Sequence, residues 1–107
     1  MKEIDLSYSK LETLPGTFAE LDGLKTLNLA VTQLKTFPKA IIPLKAITEI
    51  NLTSTNVGLI PDDIVHMKFG VILRLSGIPN LTLDHLKYVI SIAKGKVFYT
   101  SFGYFVS

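Results

Sequence analysis

The chain has no cysteine and no tryptophan. The first absence excludes disulfide staples, thiolate zinc or iron–sulfur centres and a thiol nucleophile, and it fits a reducing compartment. Charge of one sign is lacking too. Eleven basic residues against nine acidic ones leave +2, whereas a nucleic-acid-binding domain usually carries a concentrated basic stripe. No long apolar run is present. The longest stretch, Ala40-Ile41-Ile42-Pro43-Leu44, is broken by Pro43 and followed by Lys45, well short of the ~20 residues that cross a bilayer. Glu3 and Asp5 stand where a secretion signal would place its apolar centre. A cytoplasmic location is therefore expected, with neither a membrane nor a nucleic acid as partner. Phosphate-cradling glycine loops, a nucleophile elbow and Cys–His pairings are also missing.

What the sequence has in excess is grease. Its 107 residues suit a single domain, yet 48% are apolar and only 19% charged, with mean hydropathy at +0.39. Small domains bury a smaller share of their surface than large ones. Part of this apolar surface is expected to meet something other than the chain's own core.

Self-similarity organises that surface. At a step of 23 residues Ile4 leads to Leu27, Ile50 and Leu73, and Leu6 leads to Leu29, Leu52 and Leu75. Leu11 recurs as Leu34 and Val57, Leu14 as Phe37, Ile60 and Leu83, Pro15 as Pro38 and Pro61, Phe18 as Ile41 and Ile64, and Leu21 as Leu44, Met67 and Ile90. Within one unit, Leu24 to Leu29 alternates with period two, which points Leu27 and Leu29 inward and Thr26, Asn28 and Ala30 outward. Pro38 then stops any strand and opens a helical turn whose Ile41, Ile42 and Leu44 face back onto the strand layer. A single unit cannot bury its apolar face, whereas a stack of them can.

The segments 1–23, 24–46 and 47–69 (MKEIDLSYSKLETLPGTFAELDG, LKTLNLAVTQLKTFPKAIIPLKA and ITEINLTSTNVGLIPDDIVHMKF) resemble leucine-rich repeats. Their length and their Leu-Pro-x-x-Ile-x-x-Leu half resemble the Ras-suppressor and Scribble-like subclass. The resemblance implies an α/β fold, a short right-handed solenoid of about four repeats with parallel strands on a concave face and short helical turns on a convex one. The whole chain forms one domain in this scheme, with repeats at 1–23, 24–46, 47–69 and a degenerate 70–95, followed by a strand-like tail at 96–107. Two departures stand out. Ser9, Thr32 and Thr55 occupy the family's asparagine position, where a hydroxyl can supply part of the side-chain to backbone bonding that shapes the bend. The fourth unit has Ile78 at that position and Asp84 at the proline position. From Thr82, a plausible N-cap, the spacing of Leu83, Leu86, Val89, Ile90 and Ala93 predicts a helix over 83–94, with Lys94 in its last turn and Gly95 after it. Val97 to Phe102 can add a fifth strand, and Gly103 allows a bend before Tyr104, Phe105 and Val106.

The resemblance implies that ligands meet the concave strand face. Spacing sets its columns as Glu3, Thr26, Glu49 and Ile72, then Asp5, Asn28, Asn51 and Arg74, then Ser7, Ala30, Thr53 and Ser76, flanked by Tyr8, Val31 and Ser54. Of these, Glu3, Asp5, Tyr8, Thr26, Asn28, Glu49, Asn51 and Arg74 are the candidate protein-binding residues. The face is acidic at one end and carries the only arginine at the other. Four strands of five residues, at ~4.8 Å and ~3.3 Å spacing, give roughly 300 Å², against about 800 Å² per partner in a standard interface. Binding is therefore expected to extend onto loops or ends. The first repeat opens at Met1 without a polar cap, so self-association through the N-terminal edge or the aromatic tail is a further expectation.

Chemistry has little support. Asp62 and His66 lie one helical turn apart, but acids after Pro61 suit the start of a helical turn and no third metal ligand is evident. Asp84-His85 likewise suits a helix start. Glu3 and Asp5 sit ~6.6 Å apart along a strand, within range of a glycosidase pair, but a shallow sheet face offers no desolvated pocket to raise one of them. Asn51-Leu-Thr53 and Asn80-Leu-Thr82 would matter as glycosylation sequons only in a secreted chain. No metal, cofactor or catalytic residue is expected. The sequence points to a non-enzymatic protein-interaction module, with two alternatives: a small inhibitor of one partner, such as a bacterial immunity or antitoxin-like protein, or a piece of a longer array.

Overall fold

The computed structural model describes residues 3–67, 70–93 and 97–100. Five strands, β1 (Glu3–Asp5), β2 (Thr26–Asn28), β3 (Glu49–Asn51), β4 (Val71–Arg74) and β5 (Val97–Thr100), form one parallel sheet in chain order. Register follows the repeat. Glu3 pairs with Thr26, Thr26 with Glu49 and Glu49 with Ile72, so each of these three steps equals the 23-residue period. The last step is longer, Val71 pairing with Val97, because a full helix, α1 (Leu83–Ala93), fills that connection.

The strands are short, yet the parallel ladder runs on beyond them. The Leu6, Leu29 and Leu52 amides donate to the Asn28, Asn51 and Arg74 carbonyls at 2.8, 2.8 and 2.9 Å. The Tyr8, Val31 and Ser54 amides donate to Ala30, Thr53 and Ser76 at 3.0, 2.8 and 2.8 Å. Every unit therefore spends its backbone donors on the next one, which couples folding of each repeat to its neighbour.

On the far side, Pro15, Pro38 and Pro61 each precede a 3-10 turn, at Gly16–Glu20, Lys39–Ile41 and Asp62–His66. Proline cannot donate to a ladder, and its fixed φ suits a helix start. Its carbonyl closes the turn by accepting from Phe18, Ile41 or Ile64 at 3.1 to 3.2 Å. Three to five residues of 3-10 geometry give each connection just enough length to return to the sheet.

Between the layers lie the apolar columns. Leu27, Ile50 and Leu73 are fully buried, as are Leu29, Leu52 and Leu75. Their first-repeat counterparts Ile4 and Leu6 are only partly buried, together with Leu11, Leu14, Phe18 and Leu21. The hydroxyls at the asparagine position do shape the bend: Thr32 and Thr55, both buried, donate to Leu29 and Leu52 carbonyls at 2.8 Å, and Ser9 donates to Leu6 at 2.7 Å. Ala30, expected to face outward, is covered at 8% exposure, its methyl being too short to rise between neighbouring columns.

The predicted C-terminal helix is α1. Thr82 caps it, its Oγ1 accepting the His85 amide at 3.1 Å, and Leu86, Val89 and Ala93 face the core. The expected last turn at Lys94 and Gly95, and the aromatic tail beyond Thr100, lie outside the described residues. β5 realises the fifth strand as far as Thr100.

Candidate protein-binding face

Strand alternation that sends Leu27 and Ile50 into the core brings the candidate residues to the opposite face. Thr26, Glu49, Asn28, Asn51 and Arg74 are half-buried there, whereas Glu3 and Asp5 are exposed. The pairing register aligns Glu3, Thr26, Glu49 and Ile72 in one row and Asp5, Asn28, Asn51 and Arg74 in the next. Tyr8 stands at the rim, beyond the end of β1.

Three of the four residues in the second row share one local device. Asn28 Oδ1 accepts the Ala30 amide and Asn51 Oδ1 the Thr53 amide, each at 3.0 Å. Asp5 Oδ1 accepts the Ser7 amide at 2.9 Å and the Ser7 hydroxyl at 2.6 Å. These Asx turns bond a side chain to the backbone two residues on and fix the chain's exit from each strand. Chiefly through the Ser7 hydroxyl, then its amide, they hold the Asp5 carboxyl below its ordinary value.

Charge at the other end is already answered. Arg74 Nε donates to Glu49 Oε2 at 2.7 Å across neighbouring strands. This bond and the Glu49 charge raise the guanidinium above its ordinary value. At half-exposure such a pair contributes ~0–1 kcal/mol to stability. Its clearer effect is to cancel Glu49 as an acidic site and Arg74 as a basic one.

Each exit then passes through a left-handed residue: Tyr8 at φ 58°, Val31 at 55°, Ser54 at 57° and Gly77 at 65°. Glycine is at ease there, serine less so, and a β-branched valine is an outlier. Tyr8 is 81% exposed and Val31 40%, so Tyr8 recovers little of its backbone cost through burial.

Sequence spacing located the rows but missed three features. The Glu49–Arg74 neutralisation could have been found from opposite charges on adjacent strands, two residues out of register. The Asx turns were legible as an acid or amide two residues before each bend. The left-handed backbone left no trace, because only Gly77 advertises it.

The convex-side candidates serve local ends. Asp62 accepts the Tyr88 hydroxyl at 3.0 Å, raising the Tyr88 pKa, and Asp63 meets Lys39 at 3.6 Å. His85 does more than start a helix: its Nε2 accepts the Ile60 amide at 2.8 Å. Among the described residues no group of three His, Cys, Asp or Glu side chains is placed to hold a metal, and no helix is long and apolar enough to cross a membrane.

No curated protein matches the chain closely enough to count as a relative. Among solved structures, an LRR protein of Leptospira interrogans superposes with a TM-score of 0.81 at 23% identity. The match covers 92% of this chain and 25% of that one. The chain thus spans about a quarter of the solved chain's length, and at this identity the likeness shows the fold alone. The leucine-rich-repeat family model matches residues 1–57. With that match over more than half its length, and with a sheet that advances by one strand per 23 residues, the chain belongs to the leucine-rich repeat family.

Proposed function

We propose that this chain is a non-enzymatic protein-interaction module that receives a protein segment on its strand face. The carrying observation is the alignment of Glu3, Thr26 and Glu49, and of Asp5, Asn28, Asn51 and Arg74, in parallel rows outside a core that does not use them. Rows of fixed pitch, on backbone locked by ladder bonds, give a partner pre-organised polar groups and so lower the ordering cost of binding. The family's usual role as a protein-binding scaffold supports the same reading. The 23-residue period and the Leu-Pro-x-x-Ile-x-x-Leu half further support the Ras-suppressor and Scribble-like subclass, and the cysteine-free composition supports a cytoplasmic setting. Peptides selected for binding from a displayed library test the face. Asn51→Arg places a long cation at its centre and should abolish binding, while Lys45→Glu, outside the strand rows, should not. Equal binding by both variants refutes the assignment.

A second reading is favoured by the partial exposure of Ile4, Leu6, Leu11, Leu14, Phe18 and Leu21. Their fully buried counterparts show what this layer becomes once another is stacked on it. Further repeats, or a second copy pairing along β1, would complete it. Sedimentation at rising concentration separates the second copy from further repeats.

A further inference from the structure

Charge in this chain alternates by repeat. Residues 1–23 carry five acids against two lysines, a formal −3, and residues 24–46 carry four lysines and no acid, +4. Residues 47–69 return to −2, and residues 70–107 to +3. The alternation is used where layers meet. Both ion pairs among the described residues join neighbouring repeats, Lys39 to Asp63 at 3.6 Å and Arg74 to Glu49 at 2.7 Å. Each layer thus lies against one of opposite sign, an order that contact between like layers would not satisfy.

Among the described residues the sheet begins at β1 and ends at β5. At its start Ile4, Leu6, Leu11, Leu14, Phe18 and Leu21 are only partly buried, while all six counterparts one repeat later are buried. The backbone there is directional too. The Glu49 and Ile72 amides donate back to the Lys25 and Thr48 carbonyls at 3.2 and 2.9 Å. Glu3 holds the same place in β1, with no strand before it among the described residues. The outer side of β5 is the side that each earlier strand turns to its successor, so a parallel ladder can run from β5 of one copy into β1 of another. Pairing β1 with β1 has no such fit: antiparallel strands would bring Glu3 and Asp5 of one copy opposite the same acids of the other, which is destabilising.

Resting on the second reading above and narrowing it, we infer that the N-terminal layer is the docking surface for the C-terminal end of a second copy of this chain, stacked head to tail so that β1 continues the sheet from the other copy's β5. Ile72 pairs with Phe98 and Arg74 with Thr100, so the same register carried one strand further sets Glu3 opposite Phe98 and Asp5 opposite Thr100. The junction places −3 against +3, or against +2 once Arg74 is counted with Glu49. A head-to-tail contact leaves one surface uncovered at each end, so the assembly is open and does not close at two copies.

Sedimentation of the 107-residue chain at rising concentration and low ionic strength tests this. The mass should grow past two copies and fall back as salt is added. Glu12→Lys with Glu20→Lys, both exposed, turns the first unit from −3 to +1 and should raise the concentration needed for association by about ten-fold or more. The chain has no cysteine, so single introduced thiols report which ends meet. With a short bifunctional thiol reagent, Glu3→Cys should link to Phe98→Cys at least about ten-fold faster than to itself. Thr100→Cys, two residues along the same face, takes the place of Phe98→Cys if that variant unfolds. A chain that stays monomeric overturns the inference and leaves further repeats as the cover for this layer. A mass that stops at two copies, Glu3→Cys linking to itself as fast as to its partner, or growth unchanged by the lysine pair overturns the head-to-tail order while the second-copy reading stands. None of these results bears on the strand face, which Asn51→Arg tests separately.

Discussion

His85 offers the sharpest test of how the last repeat is held. Ile60 is buried, and its amide has a single described acceptor, the His85 Nε2 at 2.8 Å, reaching across from α1. An accepting Nε2 means the neutral ring with its proton on Nδ1. His85→Ala removes the acceptor and leaves a buried N–H with nothing in its place, which costs about 1–3 kcal/mol. The side chain's own packing loss is small, since it is only half-buried. For a domain of this size each kcal/mol shifts Tm by roughly 4–8 °C, so thermal and urea unfolding both resolve the effect. His85→Gln separates bonding from packing, because its Oε1 reaches a similar distance and can accept the same proton. The expected order is parent, then Gln within about 1 kcal/mol, then Ala. Hydrogen exchange at the Ile60 amide should accelerate in the Ala variant well beyond its neighbours. Equal losses in Gln and Ala, or an Ala loss under about 0.5 kcal/mol, would refute the reasoning.

Four further outcomes follow from the same geometry. Leu29→Ala, in a fully buried column, should cost about 2–5 kcal/mol by chemical denaturation, and Leu6→Ala, in the half-covered first layer, clearly less. Thr55→Val keeps shape but removes the hydroxyl that bonds the Leu52 carbonyl, and should cost about 1–3 kcal/mol. Val31→Gly should be neutral or up to about 1 kcal/mol stabilising by relieving positive φ, whereas Gly77→Ala should lose about 1–2 kcal/mol. In that variant the new Cβ would also stand 3.0 Å from Ser54 Oγ. For Asp5 the folded carboxyl lies below its ordinary 3.8, so its contribution is whole above that value and fades as pH falls through the lower folded one. Relative to Asp5→Asn, the parent should lose unfolding midpoint only below about pH 4.

The fold was legible because a solenoid writes its geometry as a period. Leu27, Ile50 and Leu73 recur at one spacing, and parallel stacking has no simpler way to bury them. Pro15, Pro38 and Pro61 marked each turn because proline excludes the strand alternative. The face was legible as rows, since alternation fixes which residues oppose Leu27 and Ile50. Its electrostatics needed a further step: Glu49 and Arg74 lie in different rows, and the diagonal between adjacent strands brings them together. Nor was the His85–Ile60 bond, which joins a helix to an irregular segment 25 residues earlier and belongs to no repeating column.

A repeat array also contains its own substitution experiment. Four exits with one backbone path show which side chains that path tolerates, so what differs among them cannot be explained by the path. Thr32 and Thr55 agree, and their bonds to Leu29 and Leu52 explain why. Asn28 and Asn51 agree, and the Asx turn explains why. Asp5 keeps the turn while adding charge, and Tyr8 keeps the bend while adding strain and exposed ring. In the left-handed slot Gly77 is the residue that stability alone favours, because it carries no Cβ into that region. At Asp5 the Ser7 hydroxyl adds a second bond to the turn and so answers the charge within the fold, whereas at Tyr8 a ring 81% exposed recovers little of what its left-handed backbone costs.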